Sequence, residues 1–441
     1  MPWLPGMAFG FRADDNAEPV RCEVVHSDCA VTSSFESGSE MLNWLYDAYI
    51  RTQLSNMHSG VPSDCPHIER LGYTGDGQLC CEAAMMLLDS QKFYKKWLED
   101  ISDCQSIGNG HVQHTAPFMG GGGGPAGWGG AIAVVPYEMY KIYGDKETFR
   151  RYLPKILRYF DYLDSRSSGG LVCREEEGGW CLGDWCPPEQ ITICEPFVNT
   201  ALYVKQMMMT KEASEAIGES ETAAMLEKRI EEKEQAILNA YYSPQTGSFI
   251  GDAQGANSFA VDIGLGGERA FNNTKKKYDA ADAFDTGIFG TDILTRVLFE
   301  RGCADTAFHL LTSTGKGSFY NMKKQGATTI WENWDGERSH SHPMFGAVTR
   351  CLFSFILGIT QEKNSAGYEK IVIAPQIPDG LNRASGHITT VRGEIAVSFI
   401  RTEREMDFYV TVPQKSWFTY GSDCEYELWE GENHIHIDFE E

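Results

Sequence analysis

Basic residues are the scarce charge in this chain: 38 Lys and Arg stand against 62 Asp and Glu, giving a formal net charge of −24 over 441 residues. Phosphate backbones and anionic membrane surfaces require clustered cations, so neither nucleic acid nor a membrane is expected as a partner. The one basic run, Lys275-Lys-Lys277, reads as a short solvated loop. Long apolar stretches are also missing. No window approaches the roughly 18 apolar residues of a membrane helix. The N-terminus shows neither a basic start nor a continuous apolar segment, so no signal peptide is expected. The thirteen cysteines are scattered and include no CxxC pair. Without a Cys/His spacing that suits zinc, they read as reduced thiols, and no metal or other cofactor is expected. A cytoplasmic location follows as the expectation, and the state of self-association is left open.

One further absence matters. Residues 119–130, Met-Gly-Gly-Gly-Gly-Gly-Pro-Ala-Gly-Trp-Gly-Gly, hold a glycine run with no Gly-Lys-Ser/Thr behind it and no strand–helix setting. That excludes a phosphate loop and leaves flexible backbone around Trp128, which suits the rim of a site.

Aromatics are abundant, with ten Trp, nineteen Tyr and twenty-three Phe. They fill large cores and also provide platforms for sugar rings. Apolar residues recur at helical spacing from about residue 38, beginning with Leu42, Leu45, Tyr46, Tyr49 and Ile50. Helices are predicted over 76–90, around 93–101, and over 130–143, 147–164, 191–210, 219–242, 256–265, 288–302, 304–313 and 343–358. Pro154 should kink the one it interrupts or mark its true start. Loops rich in Gly, Trp and acid alternate with these helices, which favours an (α/α)6 toroid over an irregular bundle. After about Gly358 the period changes to two, in segments such as Glu394-Ile-Ala-Val-Ser-Phe399 and Met406-Asp-Phe-Tyr-Val-Thr-Val412. The expected fold is therefore mainly α: a short β remnant or linker over 1–37, with strands near Val20, Cys22, Val24, Val31 and Ser33; the toroid over 38–360; and a small all-β sandwich over 361–441.

Pro62-Ser-Asp-Cys-Pro-His-Ile-Glu-Arg-Leu-Gly-Tyr-Thr-Gly-Asp76 places Asp64, Glu69 and Asp76 on a loop that runs into a helix, with Asp76 as its N-cap. Rigidly held loops commonly carry catalytic groups, although acids in a turn-rich connector can serve only as caps and solvation. A second constellation, Trp331-Glu-Asn-Trp-Asp335, sets Glu332 between indoles, and His342 follows. A buried acid is unfavourable unless paired, and stacked indoles beside a carboxylate suit a sugar pocket. Two acids meeting across one cavity satisfy the requirement of glycoside hydrolysis.

The segment Asp64–Asp76 resembles the signature of the bacterial α-L-rhamnosidases of glycoside hydrolase family 78. Pro125-Ala-Gly-Trp-Gly-Gly130, Gly183-Asp-Trp185, Asp285-Thr-Gly-Ile-Phe-Gly-Thr291, Trp331-Glu-Asn-Trp-Asp335 and His342 follow in the family's order. The resemblance implies an inverting exo-α-L-rhamnosidase acting on carbohydrate. Glu69 matches the general acid and Glu332 the general base. Asp64 and Asp76 match acids that bind rhamnose hydroxyls. His67, Arg70, Tyr73, Trp128, Asp184, Trp185, Trp331, Trp334 and His342 complete the substrate-binding set. The chain differs from the family pattern at His67-Ile68, at Tyr73 and at Ser341-His342-Pro343. A glycosidase for another sugar on the same toroid, or a non-catalytic sugar-binding protein, remains as an alternative.

Overall fold

The computed structural model describes residues 25–175, 179–421 and 424–439. The strand positions expected at Val20, Cys22 and Val24 lie outside them. Strand β1 (Ser33–Ser37) leads into helix α1 (Glu40–Ser55), which Ser39 caps by accepting the Leu42 N–H. Leu42, Leu45, Tyr46 and Tyr49 are buried along α1, as their spacing requires. Hairpin β2 (Met57–His58) and β3 (Val61–Pro62) then turns the chain into the acidic loop. The following helices are α2 (Thr74–Leu87), α3 (Gln91–Asp103), α4 (Ala131–Tyr143) and α5 (Lys146–Ser165). After hairpin β4 (Ser167–Ser168) and β5 (Leu171–Val172) come α6 (Glu195–Ala216) and α7 (Ser220–Tyr241). After hairpin β6 (Tyr242–Ser243) and β7 (Ser248–Phe249) come α8 (Ala256–Asp262), α9 (Gly267–Asp279), α10 (Ile288–Glu300), α11 (Ala304–Thr312) and the short α12 (Phe319–Lys324).

Packing closes these helices into a ring. The inner wall runs α2, α4, α6, α8, α10 and then the wound segment of Met344–Thr349 and Leu352–Ile356, which returns to α2. Helices α3, α5, α7, α9 and α11 each follow an inner helix and pack outside it, and α1 packs outside the last. Because each inner member is reached by a return connection, all the inner helices run the same way. Every elaborated loop therefore enters the N-terminal end of an inner helix.

Several local expectations are corrected. Asp76 is not an N-cap: α2 begins at Thr74, and Asp76 lies buried in its first turn. Pro154 does not mark the start of a helix, since α5 begins at Lys146 and continues through it, with the Arg150 carbonyl left without an i→i−4 donor. Lys275-Lys-Lys277 is not a loop but the end of α9, where Lys275 pairs with Asp279 and Lys277 with Asp285. The segment foreseen as a helix over 343–358 winds instead as a 3-10 turn followed by a π turn.

The β-domain comprises β8 (Ile359–Gln361), β9 (Ile371–Ile373), β10 (Arg383–Thr390), β11 (Gly393–Arg401), β12 (Glu405–Val412), β13 (Ser416–Tyr420), β14 (Cys424–Leu428) and β15 (Gly431–Asp438). One sheet has the order β1-β10-β11-β12-β15 and the other β14-β13-β9-β8. Alternate residues such as Val397, Phe399, Phe408 and Val410 are buried. The N-terminal strand is thus no separate unit. β1 pairs antiparallel with β10, Phe35 opposite Gly386, and the Phe35 ring lies 6.2 Å from Tyr46 of α1 and 5.8 Å from Phe353.

Candidate active site

The loop between β3 and α2 is closed on itself. The Asp64 N–H donates to the Leu71 carbonyl, and Asp64 Oδ1 accepts the Leu71 N–H, each at 2.9 Å. This ring lifts Ile68, Glu69 and Arg70 into solvent, with Arg70 in the left-handed region at φ 58°. Tyr73 then reaches back, its hydroxyl donating to Glu69 Oε2 at 2.6 Å. Burial and the adjacent Glu69 carboxylate both hold the Tyr73 phenol well above its usual range.

Across the mouth, Glu332 is buried. Its Oε1 lies 3.2 Å from the Arg338 guanidinium, and its Oε2 accepts the Ser339 N–H at 3.2 Å. His342 Nδ1 stands 3.7 Å from the same Oε2, while Nε2 is bonded to Asp76 Oδ1 at 2.7 Å. Burial works against the imidazolium, but the hydrogen bond and charge of Asp76, helped by Asp64 and Glu332, raise His342 to about 9. Burial pushes the Asp64 carboxyl up to about 6; the His342 cation restrains that rise, and Asp76 adds to it. His67 is half-buried and held below its usual range by burial and by the facing His340 and His342. Arg338 is the common neighbour of the two acid loops, since Glu332 first and Glu69 more weakly hold its guanidinium charged.

The tryptophans divide. Trp334 packs into the core against Phe284, Phe319 and Phe345, with centroids 5.9, 5.3 and 4.3 Å away. Trp331 is buried and stacks on His340 at 4.1 Å. Trp128 is buried between the first turn of α2 and the glycine run; a Cβ at Gly75 would come within 2.7 Å of its ring, and one at Gly123 within 2.5 Å. The glycines are therefore required by close approach, and the run forms a strap over the indole. Trp185 alone of the four keeps partial exposure, with Arg338 6.0 Å above its ring. It lines a cavity of about 300 Å³ together with Cys186, Asn333, Trp334 and Arg338.

Asp184 is displaced from its expected role in substrate binding. Its Oδ2 accepts the Gly287 N–H at 2.7 Å, and its Oδ1 accepts those of Phe289 and Gly290 at 2.9 and 3.0 Å. It caps α10 from another loop, and both oxygens are occupied. Arg338, Cys186 and Asn333 belong to the site but were not singled out by sequence. An Arg in a turn six residues past Glu332 is the one signal that could have indicated the first of them.

Six helical hairpins closed into a ring, with an acid-lined mouth and a β-sandwich behind, define the class of six-hairpin toroids. Comparison with known sequences narrows that class. Residues 30–356 match the bacterial alpha-L-rhamnosidase 6 hairpin glycosidase domain, and residues 358–419 the bacterial alpha-L-rhamnosidase C-terminal domain. The chain belongs to the bacterial α-L-rhamnosidase six-hairpin family. An alpha-L-rhamnosidase of Formosa agariphila is 25% identical over 93% of this chain and 47% of its own length. One of Streptomyces avermitilis is 29% identical over 88% of this chain and 37% of its own length. The chain thus spans less than half of each of these relatives. The structure of a Streptomyces avermitilis alpha-L-rhamnosidase complexed with L-rhamnose superposes with TM-score 0.84 at 26% identity, covering 94% of this chain and 43% of that one. An alpha-L-rhamnosidase from Dictyoglumus thermophilum, at 21% identity and TM-score 0.85 over 94% of this chain and 51% of that one, shares the fold.

Proposed function

We propose that this chain is an inverting exo-α-L-rhamnosidase that removes terminal α-L-rhamnosyl residues from glycosides or polysaccharides. The observation that carries this reading is the asymmetry of the two acids. Glu332 is buried and held by Arg338, the Ser339 N–H and a His342–Asp76 pair, as suits a base that orients water. Glu69 is exposed at the mouth on a closed loop, as suits an acid that meets the leaving oxygen. Glu69 gives its proton to the glycosidic oxygen while Glu332 takes one from the water attacking C1. Asp64 and Asp76 then bind the sugar hydroxyls, and Trp185 offers its ring to the apolar sugar face. Membership of the family, and relatives named alpha-L-rhamnosidase, support rhamnose as the sugar.

The test is a panel of aryl glycosides followed by NMR. An aryl α-L-rhamnoside should be hydrolysed in preference to the other sugars, with the β anomer of free rhamnose formed first. Glu69→Gln and Glu332→Gln should each lower kcat by roughly 10²-fold or more. Wild-type rates in both variants would refute the assignment, and an α anomer formed first would refute inversion.

A further inference from the structure

Behind the acidic loop lies a second cluster of chemistry that the proposed reaction does not use. The chain leaving α3 runs His111-Val-Gln-His114, and both imidazoles turn inward to Glu175, which follows β5. All three side chains are buried, Glu175 with 2% of its surface exposed. His111 Nε2 lies 3.1 Å from Glu175 Oε2, and His114 Nε2 lies 3.2 Å from Oε1. Each carboxylate oxygen therefore faces one imidazole. The two rings stand at 89° with centroids 5.5 Å apart, so their nitrogens converge from different directions. Tyr162 of α5 closes the fourth side, its hydroxyl donating to Glu175 Oε2 at 2.7 Å.

One detail separates this cluster from an ordinary buried ion pair. His111 Nε2 is buried and meets the carboxylate at 3.1 Å without hydrogen-bond alignment, whereas His114 Nε2 is aligned on Oε1 at 3.2 Å. A nitrogen placed there to donate a proton would align with the oxygen. A nitrogen placed there to offer a lone pair to a shared centre need not. The three ligand atoms all lie within 4.8 Å of one another. Around a tetrahedral zinc, with metal–ligand bonds of about 2.1 Å, neighbouring ligand atoms stand about 3.4 Å apart.

We propose that His111, His114 and Glu175 form a structural site for a divalent transition metal of the zinc class, with the Tyr162 hydroxyl beside it. Two imidazole nitrogens and one carboxylate select such an ion over calcium or magnesium, which favour all-oxygen sets. The ion joins three stretches distant in sequence. It also holds the acidic loop indirectly, because the His114 carbonyl accepts the Thr74 N–H at 2.8 Å at the start of α2, and the Ala116 N–H donates to the Gly72 carbonyl at 2.9 Å. Thr74 lies between Tyr73, which holds Glu69, and Asp76, which holds His342. The metal is thus a positioning device outside the reaction.

Because the site is buried, the test supplies metal during folding. The full chain is refolded from denaturant with EDTA, with Zn²⁺ or with Co²⁺. Metal content, the visible spectrum of the Co²⁺ sample and thermal unfolding are then recorded. The expected result is about one Zn²⁺ per chain surviving dialysis, d–d bands of a four-coordinate Co²⁺ centre, and a Tm several degrees above that of the EDTA sample. Glu175→Gln and His111→Ala should lose the bound metal and the metal-dependent rise in Tm, with helical circular dichroism retained. Wild-type protein that refolds without taking up metal, with one Tm in all three conditions, overturns the proposal and leaves a buried histidine–carboxylate cluster. Metal content and the Co²⁺ spectrum do not depend on the rhamnosidase reading.

Discussion

His342 is the residue on which the charge balance of the site turns. It is the buried cation beside Asp64, Asp76 and Glu332, and its pKa is raised to about 9. A folded-state value above the usual ~6.5 means that its stabilising contribution is complete below that pH and is lost as pH rises through about 9. Thermal unfolding followed from neutral to alkaline pH should therefore show a falling Tm, and His342→Gln should flatten that fall. Activity should follow: the alkaline limb of kcat/KM should sit near pH 9 in the wild type, and the variant should lose roughly 10²-fold in kcat. A pH profile unchanged by the substitution would count against the pair with Asp76. Much of this neighbourhood was legible in the sequence, because acids among glycines, prolines and tryptophans have few other reasons to cluster. The depth of each side chain was not. Trp331 and Trp334 read as sugar platforms, yet a linear pattern cannot tell an indole facing a pocket from one facing Phe284 and Phe345.

At the scale of the element, the N-terminus of α10 shows what sequence conceals. Asp184 lies on a loop more than a hundred residues earlier in the chain than the three N–H groups it accepts. No local capping signal exists, because Gly287 replaces the usual Ser, Thr or Asp. The approach is so close that a Cβ at Gly287 would fall 2.3 Å from the Trp185 carbonyl, and one at Gly290 2.5 Å from Asp184 Oδ2. Asp184→Ala should destabilise the protein by roughly 2 kcal/mol, measured by denaturant unfolding, because buried donors are left unpaired. Burial raises the Asp184 carboxyl to about 7 against the pull of those N–H groups. A raised acid loses stability as pH climbs from its usual ~4 toward that value. Asp184→Asn should remove this slope between mildly acidic and neutral pH. Helices with a clear apolar stripe were readable by period. Helix α9 was missed because its lysines obscure a buried face of Ala270, Phe271, Thr274 and Tyr278.

For the molecule as a whole, β1 is the decisive connection. The switch from helical to alternating pattern was plain in the sequence, but partners across some 350 residues are invisible in it. β1 stands at the edge of the sandwich sheet, where Phe35 pairs through its backbone with Gly386 of β10 while its ring packs on Tyr46 and Phe353 of the toroid. Calorimetry should show one joint unfolding transition. Phe35→Ala should lower it by an amount equivalent to roughly 3 kcal/mol while keeping a single peak. Two separate transitions in the wild type would show that the tie is weak. Topologically, the entire toroid is a loop inserted between strands of the sandwich. The toroid is entered from β1 of one sheet and left through β8 of the other, so both of its ends are tied to the sandwich and neither is a free hinge. The sandwich is therefore the fixed base of the molecule, and the closely packed glycine strap over Trp128 is held at the opposite, loop-bearing end of the same body.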